Sequence, residues 1–286
     1  MSSVDQVNDA SLVTKGLQGS RSVDFVNALF TLLNDESLLA DRVCSTFVSP
    51  YVAHQLSQRC LAEHLKGMWN QSRELLLRNP SMRGWTFQFI VEEAAKLLKQ
   101  LELVKHRHTE QQQVAVERVT LPVRRVYPWT GSLATALRKQ LLSFESNDLL
   151  VAETFNQGGY DMLSLKKDGD TWTVRALQLT VSQQHDIKTR FMAEAIRDLR
   201  DVQRMTITKL EVWMVTLYDR LAAQGRVPLE SDFVARWDAS DSLSKALAKE
   251  RDFSFPRTCE VFFINVEDLL SRLGIASPVA PAHPLQ

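Results

Sequence analysis

Apolar side chains recur at helical spacing over residues 23–39, where Phe25, Leu29, Leu32 and Leu33 predict one amphipathic helix. A second helix is predicted to begin after Ser49 and Pro50. Serine can accept a first-turn N–H, and proline suits a position whose own N–H would lack a partner. Its apolar positions Val52, Leu56, Cys60, Leu61 and Leu65 continue toward Leu75, and Asn79 followed by Pro80 stops it. A third helix is predicted over 82–101, with Phe87, Ile90, Val91, Ala94, Leu98 and Leu101 on one stripe. The basic and polar stretch 103–113 reads as a loop that leaves His106 and His108 in solvent.

The period then changes from 3.6 to 2. Val114, Val116, Arg118 and Thr120 alternate with Ala115, Glu117 and Val119, which predicts a strand ending near Pro122. A short helix over 131–144 and strands over 149–154, 160–166 and 171–181 follow, the last two joined by a Lys-Lys-Asp-Gly-Asp turn. A helix is predicted over 187–205, with Phe191, Ala195, Leu199 and Val202 inward and Arg190, Glu194, Arg197, Asp201 and Arg204 outward. Residues 210–217 and 259–264 read as buried strands, and 219–251 as helix and loop. Asn265 is expected to cap a last helix over 266–273 that Gly274 stops. The fold class expected from this order is α/β: a mixed sheet flanked by helices, behind an N-terminal helical layer.

Composition narrows the function classes. Of 286 residues, 44% are hydrophobic, enough to bury a large core. Lys plus Arg and Asp plus Glu both number 34, so the chain as a whole has no net pull toward nucleic acid or anionic lipid. Any contact with phosphates has to come from a local patch. Three scattered cysteines, Cys44, Cys60 and Cys259, are too few for a disulfide framework or a zinc cluster and suit a reducing compartment. No run approaches the ~18 apolar residues of a membrane span, so no membrane partner is expected. The acidic, polar first 20 residues do not read as a signal peptide. There is no G-x-x-x-x-G-K-[ST] loop and no G-x-S-x-G elbow, which argues against a P-loop NTPase and a serine hydrolase.

The strand over 171–181 carries the most chemistry. With period 2, Trp172, Val174, Ala176, Gln178 and Thr180 share one face, so a polar pair ends an otherwise apolar row. Asp161, after Gly158 and Gly159, opens the preceding strand. In a hairpin, the start of one strand lies beside the end of the next, which brings Asp161 to Gln178 and Thr180. An aspartate beside an oxygen-bearing side chain is one way to hold a hard divalent cation, which can activate water against a phosphodiester. The same residues also fit a purely structural role, with Asp161 closing a strand and Gln178 and Thr180 serving a nearby loop.

Four segments in order resemble Crinkler-type proteins and the related trypanosomal retrotransposon hot spot proteins. They are VSPYVAHQL at 48–56, RGWTFQFIVEEAAKLL at 83–98, NQGGYDML at 156–163 and LQLTVSQQHDIK at 177–188. The resemblance spans roughly residues 45–220. It implies a degenerate restriction-endonuclease-like domain of the PD-(D/E)xK type, with an α-β-β-β-α-β core. The family's P-loop region and its LxLFLAK translocation motif do not occur in this sequence.

Carried over residue by residue, the resemblance implies catalytic positions at Asp161, Gln178, Thr180 and Lys188. The family's helical glutamate falls on Gln88, with Glu92 one turn further along. Asp161 and Gln178 would hold Mg²⁺; Lys166, Lys167, His185 and Lys188 would meet nucleic acid. Gln88 stands where a glutamate is expected and Thr180 where a lysine is expected, a role Lys166 or Lys188 could take over. The expected organisation is a disordered segment at 1–21, a helical layer at 22–81, the restriction-endonuclease-like α/β domain at 82–274 and a disordered tail at 275–286. The expected function is a DNA-binding, nuclease-fold effector acting in a nucleus, its own or a host's. Its Mg²⁺-dependent endonuclease activity would be weak or absent. The alternative is a catalytically dead protein-interaction module on the same fold.

Overall fold

The computed structural model describes residues 30–34, 43–47, 69, 80–108, 114–129, 131–139, 143–152, 159–218 and 229–274. The chain divides into two compact units: residues 1–98 with 265–286, and residues 99–264.

In the first unit, β1 (Phe30–Asn34) pairs antiparallel with β2 (Val43–Phe47). The helix expected over 23–39 is thus replaced by a strand at 30–34. The adjacent Phe30, Thr31, Leu32 and Leu33 suit a pleated surface as well as a helical stripe, and pairing with Val43, Thr46 and Phe47 decides between them. The helix expected after Pro50 lies outside the described residues except for Trp69, which is helical and fully buried. Helix α1 (Pro80–Leu98) begins on a proline, as a first turn allows, and buries Phe87, Ile90, Val91 and Ala94 completely. Lys99 adopts a left-handed conformation (φ 58°) and breaks the helix, so Leu101 belongs to the next strand.

The second unit is built on one eight-stranded sheet. Its strands are β3 (Gln100–His108), β4 (Val114–Pro122), β5 (Arg125–Trp129), β6 (Asp148–Ala152), β7 (Met162–Asp168), β8 (Thr171–Thr180), β10 (Ile207–Leu217) and β12 (Glu260–Ile264). They lie in the order β4-β3-β12-β10-β8-β7-β6-β5. The β6-β7-β8 run is an antiparallel meander. β10 then joins β8 in parallel, and β12 joins β10 in parallel. The expected strands at 114–120, 160–166, 171–181 and 210–217 all belong to this sheet.

β3 corrects the loop expected over 103–113. Leu101 and Leu103 are buried, and so is Lys105, whose amine meets the Glu260 carboxylate at 2.5 Å and lies 5.3 Å from the centre of the Phe262 ring. His106 is not in solvent. It is 2% exposed and stacks on Phe263 at 5.4 Å. Charged letters hid a period-2 strand because their stems are buried while their ends find partners.

Helix α2 (Leu133–Lys139) and α3 (Thr189–Gln203) pack on each other over one face of the sheet. α3 buries Met192, Ala193, Ala195, Ile196 and Leu199 against Leu163, Leu165, Val174 and Ala176. It starts later than expected, because Gln184–Lys188 form β9, which pairs in parallel with β11 (Val234–Asp238). The stretch expected as helix and loop therefore also contains a strand, followed by the short α4 (Ser242–Leu247), which packs on α3. Asn265 caps α5 (Val266–Arg272) as expected, accepting a hydrogen bond from the Asp268 N–H at 3.1 Å. α5 packs on α1 in the first unit.

Asp148 at the foot of β6 is fully buried and answered by a bidentate Arg124 at 2.8 Å on both oxygens and by the Glu145 N–H at 2.9 Å. That clamp ties the β6 edge of the meander to the chain leading into β5. Leu163, on the middle strand of the meander, belongs to the core and has no exposed surface. Leu163→Ala should cost about 2–5 kcal/mol of unfolding free energy in urea denaturation, without a change of fold by circular dichroism.

Candidate functional site

The register of the β7–β8 hairpin positions the site. Met162 stands opposite Leu177, so one step further along the ladder Asp161 stands opposite Gln178. By alternation, Asp161 shares a face with Leu163 and Leu165, and Gln178 and Thr180 share a face with Trp172, Val174 and Ala176. This is the face that α3 covers. The polar pair that ends the apolar row of β8 thus meets an aspartate that ends the apolar row of β7.

The contact is direct. Asp161 Oδ2 accepts a hydrogen bond from Gln178 Nε2 at 2.7 Å and another from the Leu179 backbone N–H at 2.6 Å. The carboxylate has taken over an N–H at the end of the ladder, while the Asp161 N–H donates to the Leu177 carbonyl at 2.8 Å. Burial pushes the Asp161 carboxyl up to about 7, only partly opposed by the Leu179 N–H bond. Gln178 and Thr180 are buried, at 8% and 5% exposure. Thr180 Oγ1 accepts the Ser182 N–H at 3.0 Å and so closes the bend that leads into β9.

In this arrangement the donor set fits a hard divalent cation poorly. The carboxylate already accepts two N–H bonds on one oxygen, and burial makes it harder to ionise. Gln178 turns its nitrogen, not its oxygen, toward it. Among the described residues, no group of three or more His, Cys, Asp or Glu side chains could hold a metal ion. Gln88 and Glu92 stand on α1 in the first unit. Both are buried, and the Glu92 carboxylate forms an ion pair with Lys96 at 2.7 Å.

The basic residues expected near the site separate into two groups. Lys166 and Lys167 sit at the far end of the hairpin, opposite Thr173 and Trp172. Lys166 pairs with Asp168 at 3.2 Å, and Lys167 lies 5.5 Å from the centre of the Trp172 ring. Lys166 therefore does not take over the missing lysine position, since the length of β7 separates it from Asp161. His185 and Lys188 do lie on the site's side, on β9, immediately after the bend that Thr180 closes. Burial lowers the His185 pKa, with Asp186 opposing the shift.

Gly159 links the two halves. A Cβ there would stand 2.9 Å from the Lys188 carbonyl oxygen and 3.0 Å from the Phe191 Cβ, so the chain entering Asp161 presses on the start of α3.

Sequence reasoning missed β11 and with it Arg236. Parallel pairing sets Arg236 beside Asp186 and Asp238 beside Lys188. Gln184, Asp186, Lys188 and Arg236 are exposed and, with Ser182 and His185, line an open concavity of ≈ 510 Å³. The alternation of Val234, Arg236 and Asp238 with Ala235 and Trp237 was the available signal.

No protein-family model, curated protein or solved structure matches this chain. No helix among the described residues is long and apolar enough to cross a membrane.

The raised Asp161 value means that the folded chain holds this proton more tightly than the unfolded chain does. Its contribution to stability is complete below about pH 4 and is lost as pH rises through about 7. Asp161→Asn, which keeps an acceptor and mimics the protonated acid, should therefore lose less stability than wild type between pH 5 and pH 8. The difference should be on the order of 2–3 kcal/mol in urea titrations. Identical pH profiles would show that the carboxyl titrates normally. Gly159→Ala should lower stability by about 1–3 kcal/mol at every pH, because a backbone carbonyl would have to move.

Proposed function

We propose that this chain is a restriction-endonuclease-like protein of the Crinkler and hot spot type that binds DNA through phosphate contacts and cleaves it weakly or not at all. The reading rests on one observation: the Asp161 carboxylate at the mouth of the β7–β8 hairpin is bonded to Gln178 Nε2 and to a backbone N–H. A nuclease carboxylate has to be charged and turned to a cation; burial makes this one harder to ionise, and it is turned to an amide. The element order α2-β6-β7-β8-α3-β10, with β9 before α3, supports the core that the resemblance implies. The position of Asp161 and Gln178 at the matching strand ends supports it too. Binding can outlast catalysis, because distributed phosphate contacts do not need the metal site. The nucleus, its own or that of a host, is the compartment the resemblance suggests for such a ligand.

A second reading, a protein-interaction module on the same fold, is favoured by the pairing of charges. Arg124, Arg175, Arg190 and Arg200 each meet a carboxylate, and Asp186 and Asp238 accompany the cations of β9 and β11. A patch so balanced offers less to a polyanion than an unpaired basic stripe would.

Supercoiled plasmid incubated with Mg²⁺ or Mn²⁺ tests both readings. The expected result is no metal-dependent nicking above background, for wild type and Asp161→Ala alike. It should be accompanied by mobility-shift binding that weakens steeply as salt is raised, with a log–log slope of roughly −0.9 per phosphate contact. Robust cleavage lost in Asp161→Ala would show a working nuclease. Absence of binding even at low salt would leave the interaction module.

A further inference from the structure

The four arginines named above are held by carboxylates at 2.8–2.9 Å. Two cations that line the β9–β11 concavity are not. Lys188 Nζ has no hydrogen bond or ion pair within 4 Å among the described residues. Among the described residues Arg236 gives one bond, from Nη2 to Gln184 Oε1 at 3.1 Å, and has no carboxylate within 4 Å. That bond holds the guanidinium and leaves its other N–H groups for a ligand. Strand alternation places Gln184 and Lys188 on the same outer face as Arg236, so the ammonium and the guanidinium are presented to one hollow. Asp238, beside Lys188, accepts the Ser240 hydroxyl at 2.7 Å and the Ser240 N–H at 3.1 Å on Oδ1; these bonds, with the Lys188 charge, hold its carboxyl below the usual range, so Asp238 offsets part of that charge.

We infer that Lys188 and Arg236, with Gln184 steadying the guanidinium, form a phosphate-binding site in this concavity. The group bound is a phosphodiester of a nucleic-acid backbone or a free phosphate. A guanidinium presents a fork of N–H donors that matches two phosphate oxygens, and an ammonium supplies a point charge to a third. Asp186 also lines the hollow and opposes Arg236 in register. Its carboxylate repels an anion there, so it limits affinity. The nucleic-acid arm of this inference rests on the DNA-binding reading above, but Arg236 lies outside the segments that carry the family resemblance and is placed here by the structure alone.

Fluorescence anisotropy with a labelled duplex, together with thermal shift in inorganic phosphate and pyrophosphate, tests the site on the full chain. If wild type binds the duplex, Lys188→Ala with Arg236→Ala should weaken it by about tenfold or more at about 50 mM salt. The salt slope should become shallower by about 1.8, the share of two phosphate contacts. Asp186→Asn should move affinity the opposite way and tighten it. Opposite signs from neighbouring residues are not expected of a merely structural patch, and unchanged melting temperatures without ligand would show that each variant folds. A duplex affinity indifferent to all three substitutions overturns the site and leaves the DNA-binding reading standing. If wild type does not bind duplex, that reading fails, and the phosphate arms decide the site. Stabilisation by phosphate or pyrophosphate that disappears in the double variant supports a free-phosphate ligand, and no stabilisation overturns the inference.

Discussion

Register in the β7–β8 hairpin is the constraint on which the site depends. Side chains alternate strictly across a strand, so a slip of one residue would carry Asp161 and Gln178 to opposite faces. The turn prevents it. Asp168 pairs with Thr171, Gly169 adopts φ 63° between them, and the Thr171 hydroxyl returns to the Asp168 carbonyl at 3.0 Å. With that turn fixed, Leu163 and Leu165 fall under α3, and at the far end Asp161 falls on Gln178. The apolar row and the polar pair are thus set by the same register.

How far the sequence could be read depended on what each strand buries. β7, β8 and β10 are central and carry long apolar runs, so period and turn residues located them to within a few positions. α3 was recognisable from its outer charged stripe, though not its start, because β9 looks polar enough to be a loop or a first turn. β3 went unrecognised because Lys105 and His106 are polar letters occupying buried positions, one answered by Glu260 and the other stacked on Phe263. The meeting of Asp161 and Gln178 followed from hairpin geometry alone. Its character did not: whether Gln178 would offer oxygen or nitrogen, and how far burial would lift the carboxyl, depend on packing that no pattern encodes. Arg236 was out of reach for another reason. It arrives on a strand from a distant part of the chain, and only parallel pairing with β9 makes it a neighbour of Lys188.

The zero net charge of the chain also takes on local meaning. Several described cations are spent in pairs, such as Arg124 on the buried Asp148 and Arg175 between Glu211 and the Trp213 ring. Those pairs contribute to architecture and little to long-range attraction. Of the cations without such a partner, Lys188 and Arg236 share one hollow, at the end of the sheet where β8 hands over to β9.

The outer edge of the sheet has a different consequence, one for solubility. β4 is an edge strand among the described residues, and Val114 and Val116 on it are 40% and 58% exposed. A long exposed edge of this kind invites another copy to extend the sheet. In a two-fold antiparallel pairing, the residue on the axis faces its own counterpart. Centred on the middle of β4, that residue is Glu117 or Arg118, and each would confront a like charge across the strands. The opposite edge, β5, includes Pro128, which has no N–H to give. Both ends of an eight-stranded sheet thereby discourage stacking into fibres, by repulsion at one edge and by a missing donor at the other.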